Sequence, residues 1–225
     1  MRRILRSALV GAALVAAFVA GDSRAATMTL GLDIEFSGGV APGGTTPWIT
    51  ATFDDSFGGP DTVRLTMTAT NLLGGTQGEN IAEWLFNFDS SLDPTLLTFT
   101  AVSNSAAVPN AINKGANAYM ADGDGNFDIQ FVFPPPPGSG AARFTGGETV
   151  IYDITYGGGP ISASSFAFFS SMGGGQGSFL SAAQIQRTPN GGNGSGWIGV
   201  VPEPSTGLLF GAGLLVLTRC RRARR

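Results

Sequence analysis

Asp61-Thr-Val-Arg-Leu-Thr-Met-Thr-Ala-Thr70 is the stretch of this sequence that decides the fold. Apolar and polar residues alternate along it with a period of two, which is typical of a β-strand with one buried face. We predict that the apolar face lies in a core and that the face bearing threonine and arginine lies in solvent. The residues of the predicted core face are Val63, Leu65, Met67 and Ala69.

Similar segments follow one another along the chain, separated by turns rich in Gly, Pro and Asn. The predicted strands are 28–36, 48–53, 61–70, 81–88, 95–102, 127–133 and 147–156, with weaker candidates at 165–170, 180–186 and 197–200. Eight to ten short strands in about 170 residues are typical of an all-β fold, and we predict a two-sheet antiparallel sandwich.

Three more of these strands carry apolar residues that share one face. In 28–36 it consists of Met28, Leu30, Leu32, Ile34 and Phe36; in 81–88, of Trp84, Phe86 and Phe88; in 147–156, of Val150, Tyr152 and Ile154. All of these residues are predicted to point into the core.

Charge is distributed unevenly along the chain. Residues 27–200 contain four basic and 14 acidic residues, a net charge of −10. Such a surface repels phosphates, so we predict that nucleic acid is not a partner. The chain has no histidine and one cysteine, Cys220. Catalysis by Ser-His-Asp or Cys-His groups is excluded, as is a disulfide within the chain.

The start of the chain has the features of an export signal. Residues 1–6 are basic, residues 8–20 are apolar, and residues 21–26 supply small side chains for cleavage after Ala25 or Ala26. We predict a helical signal peptide over residues 1–26, followed by export of the remaining chain.

The last 25 residues have three parts: a proline-containing motif at 201–206, an apolar run at 207–218 and a basic end at 219–225. Residues 207–217 span roughly 17 Å as a helix, which is short for the ~30 Å hydrocarbon core of a membrane. We predict that the apolar run forms a short transmembrane helix. The arginines that follow it place the C-terminal end on the cytoplasmic side of the membrane. These arginines are Arg219, Arg221, Arg222, Arg224 and Arg225.

This tail resembles the PEP-CTERM sorting signals of Gram-negative bacteria that make exopolysaccharide. The residues that carry the resemblance are Val201, Pro202, Glu203, Pro204 and Ser205, followed by the apolar run and the arginines. In that family the membrane-embedded cysteine protease exosortase recognises the Pro-Glu-Pro segment, cuts near it and releases the protein toward the surface. The same type of tail is also called an ice-binding-protein C-terminal motif, which implies no ice binding here.

The resemblance implies exosortase as a transient partner and an intermediate tethered to the inner membrane, followed by a location at the cell surface. An ordinary tail anchor is the alternative, although such anchors usually have about 20 apolar residues and no export signal. Between the two ends we predict a sandwich domain at 27–190 and a glycine-rich linker at 191–200.

The predicted sandwich also resembles cohesin-like domains of the carbohydrate-binding superfamily, with a jelly-roll-like arrangement as the other possibility. The resemblance rests on an aromatic strand, the Asp93-Pro94 turn, the strand 97–102 and the late segment Gly-Glu-Thr-Val-Ile-Tyr-Asp-Ile at 147–154. It implies a fold and no particular activity.

Asp122-Gly-Asp-Gly-Asn-Phe-Asp128 is a candidate calcium site. Asp122, Asp124, Asn126 and Asp128 alternate with other residues, and hard oxygen donors of this kind suit Ca²⁺. The segment lacks the glycine and glutamate positions of an EF-hand, and the alternative is a Gly/Asp hairpin turn before the strand at 127–133.

Two further chemistries are open. Trp48 and Trp197 lie beside Gly/Pro loops and are candidates for stacking on sugars, with packing in the core as the alternative. The neighbouring carboxylates Asp54/Asp55, Glu79/Glu83 and Asp89/Asp93 are candidate pairs for glycoside hydrolysis.

Taken together, these features predict an exported, non-enzymatic surface or extracellular-matrix protein associated with exopolysaccharide. A calcium- or glycan-binding module is the alternative, and a secreted hydrolase is a third hypothesis.

Overall fold

The structure of the protein is a computed structural model that describes residues 26–74, 78–104, 107–134, 143–174, 177–189 and 194–200. The predicted transmembrane helix and all of the predicted signal helix except Ala26 lie outside these ranges. Within them, no helix has the length and apolar character needed to cross a bilayer.

Twelve β-strands form in the described residues. They are β1 (Thr27–Leu32), β2 (Ile34–Glu35), β3 (Ile49–Asp54), β4 (Val63–Thr68), β5 (Asn80–Phe86), β6 (Leu97–Asn104), β7 (Ala111–Ala121), β8 (Asp124–Val132), β9 (Phe144–Thr145), β10 (Thr149–Tyr156), β11 (Ser181–Thr188) and β12 (Gly194–Val200). The first sheet has the order β1-β3-β4-β10-β6. The second has the order β2-β12-β11-β5-β8-β7, with β9 paired to β5. The strand pairs are antiparallel, which confirms the predicted two-sheet architecture.

Strand β4 lies in the first sheet between β3 and β10 and has the predicted inward face. Val63, Leu65, Met67 and Ala69 are fully buried, because alternation directs them toward the second sheet. On the opposite face, Arg64 Nε and Nη2 donate to the two carboxylate oxygens of Asp153 at 2.8 and 3.0 Å. This ion pair links β4 to β10 at the register position that joins the two residues.

Aromatic side chains from both sheets fill the space between them. Phe53 stacks on Phe166 with 4.4 Å between ring centroids, and it meets Phe86 edge-on at 5.5 Å. Phe86 in turn meets Phe131 edge-on at 5.9 Å. Such pairs contribute about 0.5–1.5 kcal/mol each beyond the burial of their area, so they help to fix the stacking of the two sheets.

A second apolar cluster lies on the other face of the second sheet. Trp84 and Leu85 are neighbours on β5, yet both are fully buried, one in each cluster. Phe179 stacks on Phe36 with 4.2 Å between centroids in the second cluster. Hydrogen bonds between Ser170 and Phe179 bring the segment before β11 onto this face. The second sheet is therefore buried in part on both sides.

Two sequence predictions about strands are wrong. The predicted strand at 28–36 is divided at Asp33, where the chain passes from β1 in the first sheet to β2 in the second. Asp33 N donates to Gly199 O at 3.2 Å, and Ile34 is left 42% exposed. The weak candidate at 165–170 begins instead with a 3-10 turn, Ala163–Phe166, which the Ser162 N–H stabilises by donating to Ser165 Oγ.

The second half of the predicted linker is part of the sandwich. Residues 194–200 form β12, which pairs with β11 on one side and β2 on the other. Its glycines allow close packing, since a Cβ added at Gly199 would lie 2.7 Å from the Phe179 ring. Glycine in this stretch therefore serves packing rather than flexibility.

Candidate functional site

The junction between the sandwich and the C-terminal motif is direct. Val200 is the last residue of β12, where it is the register partner of Ser181. Its carbonyl oxygen accepts a hydrogen bond from Leu180 N at 3.1 Å. The candidate recognition motif, Val201 to Ser205, begins at the next residue. The motif and the five arginines lie outside the described residues.

The candidate calcium segment forms a hairpin between β7 and β8. Asp122 and Gly123 occupy the turn with φ of 51° and 80°, the left-handed values of a two-residue hairpin loop. The segment therefore forms the Gly/Asp hairpin turn that was the alternative to the calcium hypothesis. Asp124 is the first residue of β8 and is 5% exposed.

The carboxylate of Asp128 is already used by the backbone. Its Oδ2 accepts from Phe88 N at 2.9 Å and its Oδ1 from Asn117 N at 2.7 Å. Asn126 pairs its backbone with Ser171. In the ranges that the structure describes, no three Asp, Glu, Cys or His residues are grouped so as to hold a metal ion. The structure therefore does not bring the candidate ligands together.

Trp48 and Trp197 are both buried, in agreement with the core-packing alternative and not with the exposed position that stacking on a sugar requires. Trp48 is 7% exposed and belongs to the core between the sheets, where its Nε1 donates to Gly44 O at 3.0 Å. Trp197 is 9% exposed and belongs to the second cluster beside Phe36. Trp84 is fully buried, as predicted.

Several of the candidate catalytic carboxylates accept hydrogen bonds that stabilise turns or connect two loops. Asp89 accepts from Ser91 N and Oγ at 2.9 and 2.7 Å, and Asp93 accepts from Thr95 N and Oγ at the same two distances. Glu79 is 1% exposed and accepts from two backbone amides.

The hydrogen bonds lower the pKa of three of these candidate carboxylates. Backbone and hydroxyl donors of Ser91 lower the pKa of Asp89, and the hydroxyl and backbone donors of Thr95 lower the pKa of Asp93. The same kinds of bonds from Ser56 lower the pKa of Asp54. A general acid in glycoside hydrolysis needs a raised pKa, and the pKa values of these three groups are shifted in the opposite direction.

Residues 200–225 match the family model of the PEP-CTERM protein-sorting motif. The chain carries a PEP-CTERM sorting tail. The match confirms the resemblance that the Pro-Glu-Pro segment, the apolar run and the arginines indicated. A PEP-CTERM tail indicates an exported protein that is processed by exosortase and sorted to the envelope or surface of a Gram-negative bacterium.

Neither a curated protein nor a solved structure is significantly similar to the chain. The resemblance of the body to cohesin-like sandwiches therefore stays a prediction. The comparisons therefore support the sorting function of the PEP-CTERM tail. They identify no relative of the sandwich domain.

Sequence reasoning missed one cavity, which lies beside the loop between β3 and β4. Its volume is about 300 Å³, and its lining includes Asp55, Asp61 and Ser162. Asp61 adopts a φ of 56° in this loop. The lining residues come from segments about 100 positions apart, so no local pattern marked them as neighbours. Asp55 is the carboxylate that connects these segments.

Proposed function

We propose that the protein is a non-enzymatic component of the cell surface or extracellular matrix, delivered there by exosortase and associated with exopolysaccharide. In this proposal the sandwich is the working part, and the PEP-CTERM tail serves only to hold and route it.

The observation that carries the proposal is the direct junction at Val200. The sorting motif follows the last hydrogen-bonded residue of β12 without a spacer. A cut within or beyond the motif leaves every described strand intact. Cleavage of the tail thus releases a complete β-sandwich rather than a fragment.

The roles of the carboxylates support a non-enzymatic body. Turn hydrogen bonds lower the pKa of Asp54, Asp89 and Asp93. Glu79 holds two loops together through backbone amides from a buried position. Each of these four acids has a structural role, and the chain has no histidine to act as a general base at neutral pH.

The net charge of the sandwich domain indicates which type of polysaccharide it can bind. With a net charge of −10 over residues 27–200, the surface favours neutral or cationic polymers over strongly anionic ones. An uncharged polysaccharide is the matrix component that best fits this surface.

A fractionation experiment tests the association. The full chain is expressed in a Gram-negative host that encodes exosortase and makes exopolysaccharide, and in the same host after deletion of exopolysaccharide synthesis. We expect the processed protein in the matrix fraction of the first strain and in the culture medium of the second. Retention of processed protein on cells of both strains to the same extent would contradict a polysaccharide association.

A further inference from the structure

Ala26 is bound to Asp55 through both of its backbone groups. Ala26 N donates to Asp55 Oδ1 at 2.5 Å, and Asp55 N donates to Ala26 O at 3.2 Å. The next residue, Thr27, is the first of β1 and is the register partner of Asp54. Ala26 therefore extends the pairing of β1 with β3 by one residue, and it belongs to the folded body.

The second oxygen of the same carboxylate binds a distant segment. Asp55 Oδ2 accepts from Ala163 N at 3.2 Å, at the start of the turn Ala163–Phe166. One carboxylate thus joins the start of β1, the end of β3 and the segment after β10. Both of its donors are backbone N–H groups, which carry no formal charge while the chain continues before Ala26.

The sequence before Ala26 also favours signal-peptide cleavage directly in front of this residue. Signal peptides end in small residues at the last and third-last positions. Cleavage after Ala25 puts Ala25 and Ser23 at these positions, whereas cleavage after Ala26 puts Arg24 at the third-last position. The small residues therefore favour the bond between Ala25 and Ala26.

We propose that the signal peptide is removed after Ala25 and that the new α-ammonium group of Ala26 forms an ion pair with Asp55. The inference rests on the proposed export of the protein. It moves the boundary predicted from sequence, residues 1–26, by one position, because a cut after Ala26 would remove a residue that the body binds at both its N–H and its C=O.

The reaction is a peptide-bond hydrolysis: the C–N bond between Ala25 and Ala26 breaks, the oxygen of water joins the carbonyl carbon of Ala25 to give a carboxylate, and the two protons of that water go to the Ala26 nitrogen, which becomes an ammonium. The Ala26 nitrogen gains a positive charge where Asp55 already supplies a negative one. Charge-assisted hydrogen bonds are stronger than neutral ones, so processing strengthens the contact at the start of β1.

The first experiment identifies the N-terminus. The full chain is exported by a Gram-negative host, and the processed protein is analysed by intact mass and by sequencing from its N-terminus. We expect Ala26 as the first residue. A start at Thr27 or at any other position after signal removal would overturn the inference alone. Retention of Met1 on protein that remains in the cytoplasm would overturn the export proposal itself.

The second experiment tests the ion pair, with Asp55→Asn as the variant and Asp61→Asn as the matched control. Asp61 lines the same cavity and loses the same charge, and asparagine tolerates its φ of 56°. The processed proteins are treated with an amine-reactive reagent at neutral pH, and labelling of Ala26 is followed by peptide mapping. Pairing with Asp55 keeps the amine protonated and unreactive, so we expect several-fold faster labelling in Asp55→Asn and no change in Asp61→Asn. Equal rates in all three proteins would overturn the ion pair.

Discussion

The indole nitrogen of Trp84 donates a hydrogen bond to the hydroxyl oxygen of Ser181 at 2.9 Å, in a part of the protein where both side chains are fully buried. The same hydroxyl donates to the carbonyl oxygen of Leu85 at 2.7 Å. Ser181 thus satisfies two polar groups on β5 from its position on β11. A tryptophan in the core requires such a partner, since an unpaired buried N–H is costly.

We expect Ser181→Ala to destabilise the protein by about 1–3 kcal/mol, because it leaves the Trp84 N–H buried without an acceptor. Urea unfolding of the processed protein measures this as a lower midpoint with an unchanged slope. Ser195→Ala is the matched control, since Ser195 lies exposed on β12. The two variants would have equal midpoints if the hydroxyl of Ser181 were unimportant.

Glu79 connects two loops from a buried position. Its Oε1 accepts from Gly43 N at 2.7 Å and its Oε2 from Leu73 N at 2.8 Å. In Glu79→Gln one acceptor becomes an NH₂ group that faces a backbone N–H, and we expect a loss of about 2–3 kcal/mol in the free energy of unfolding.

The control for this variant is Glu83→Gln. Glu83 is half-buried and accepts from the side chain of Gln130 at 2.8 Å, a partner that can rotate to accommodate an amide. Thermal and urea unfolding of the two variants should therefore differ clearly. A Glu79→Gln protein as stable as Glu83→Gln would show that the loop contacts contribute little.

The sequence predicted those strands whose pattern is set by one buried face. β4 is the clearest case, because Val63, Leu65 and Met67 alternate with threonine and arginine throughout. In 28–36 the alternation continues unbroken, yet the chain changes sheets at Asp33. At this point Asp33 N donates a hydrogen bond to Gly199 O, more than 160 residues away, so the change of sheet cannot be predicted from the local sequence pattern.

Other elements were missed for a different reason. β7, Ala111–Ala121, is an edge strand with lysine, asparagine and small residues, so it has little apolar periodicity to detect. The sugar-stacking hypothesis for Trp48 and Trp197 rested on the Gly/Pro-rich sequence beside them, whereas their burial comes from residues distant in the sequence that pack in the same clusters. The PEP-CTERM tail was predictable because its signal is a contiguous motif of residue types in a fixed order.

The turn carboxylates predict how stability depends on pH. The pKa of Asp89 and of Asp93 is lower in the folded chain than in the unfolded chain, because each accepts hydrogen bonds from the residue two positions later. Their contribution is therefore fully present above the unfolded value of about 3.9 and is lost as pH falls through the folded value.

We expect the double variant Asp89→Asn/Asp93→Asn to lose less stability than the natural protein when the pH is lowered from about 5 to about 2. Thermal unfolding across this range measures the difference. Ser91→Ala/Thr95→Ala keeps both carboxylates and removes only the hydroxyl donors, so its pH dependence should be intermediate. Identical pH profiles for all three proteins would contradict the assignment.

The geometry of the hairpin at Asp122 to Asp128 predicts that calcium does not stabilise the protein. Each oxygen of Asp128 accepts from a backbone amide, which fixes the carboxylate and leaves it fewer lone pairs for a cation. We expect millimolar Ca²⁺ to leave the Tm of the chelator-treated protein unchanged, with Mg²⁺ as the control for ionic strength. A rise in Tm with Ca²⁺ alone, abolished in Asp122→Asn, would contradict this and support the calcium hypothesis.

The central claim is that exosortase processes the tail and thereby sends the sandwich to the surface. The most direct measurement replaces Pro202-Glu203-Pro204 with three alanines and follows the mass and membrane fraction of the protein in a host that encodes exosortase. Pro189→Ala, at an exposed proline before the motif, is the control. We predict that the triple variant stays in the inner membrane with its tail attached, while the natural protein and the control reach the surface without it. Arrival of the triple variant at the surface in cleaved form would contradict the account.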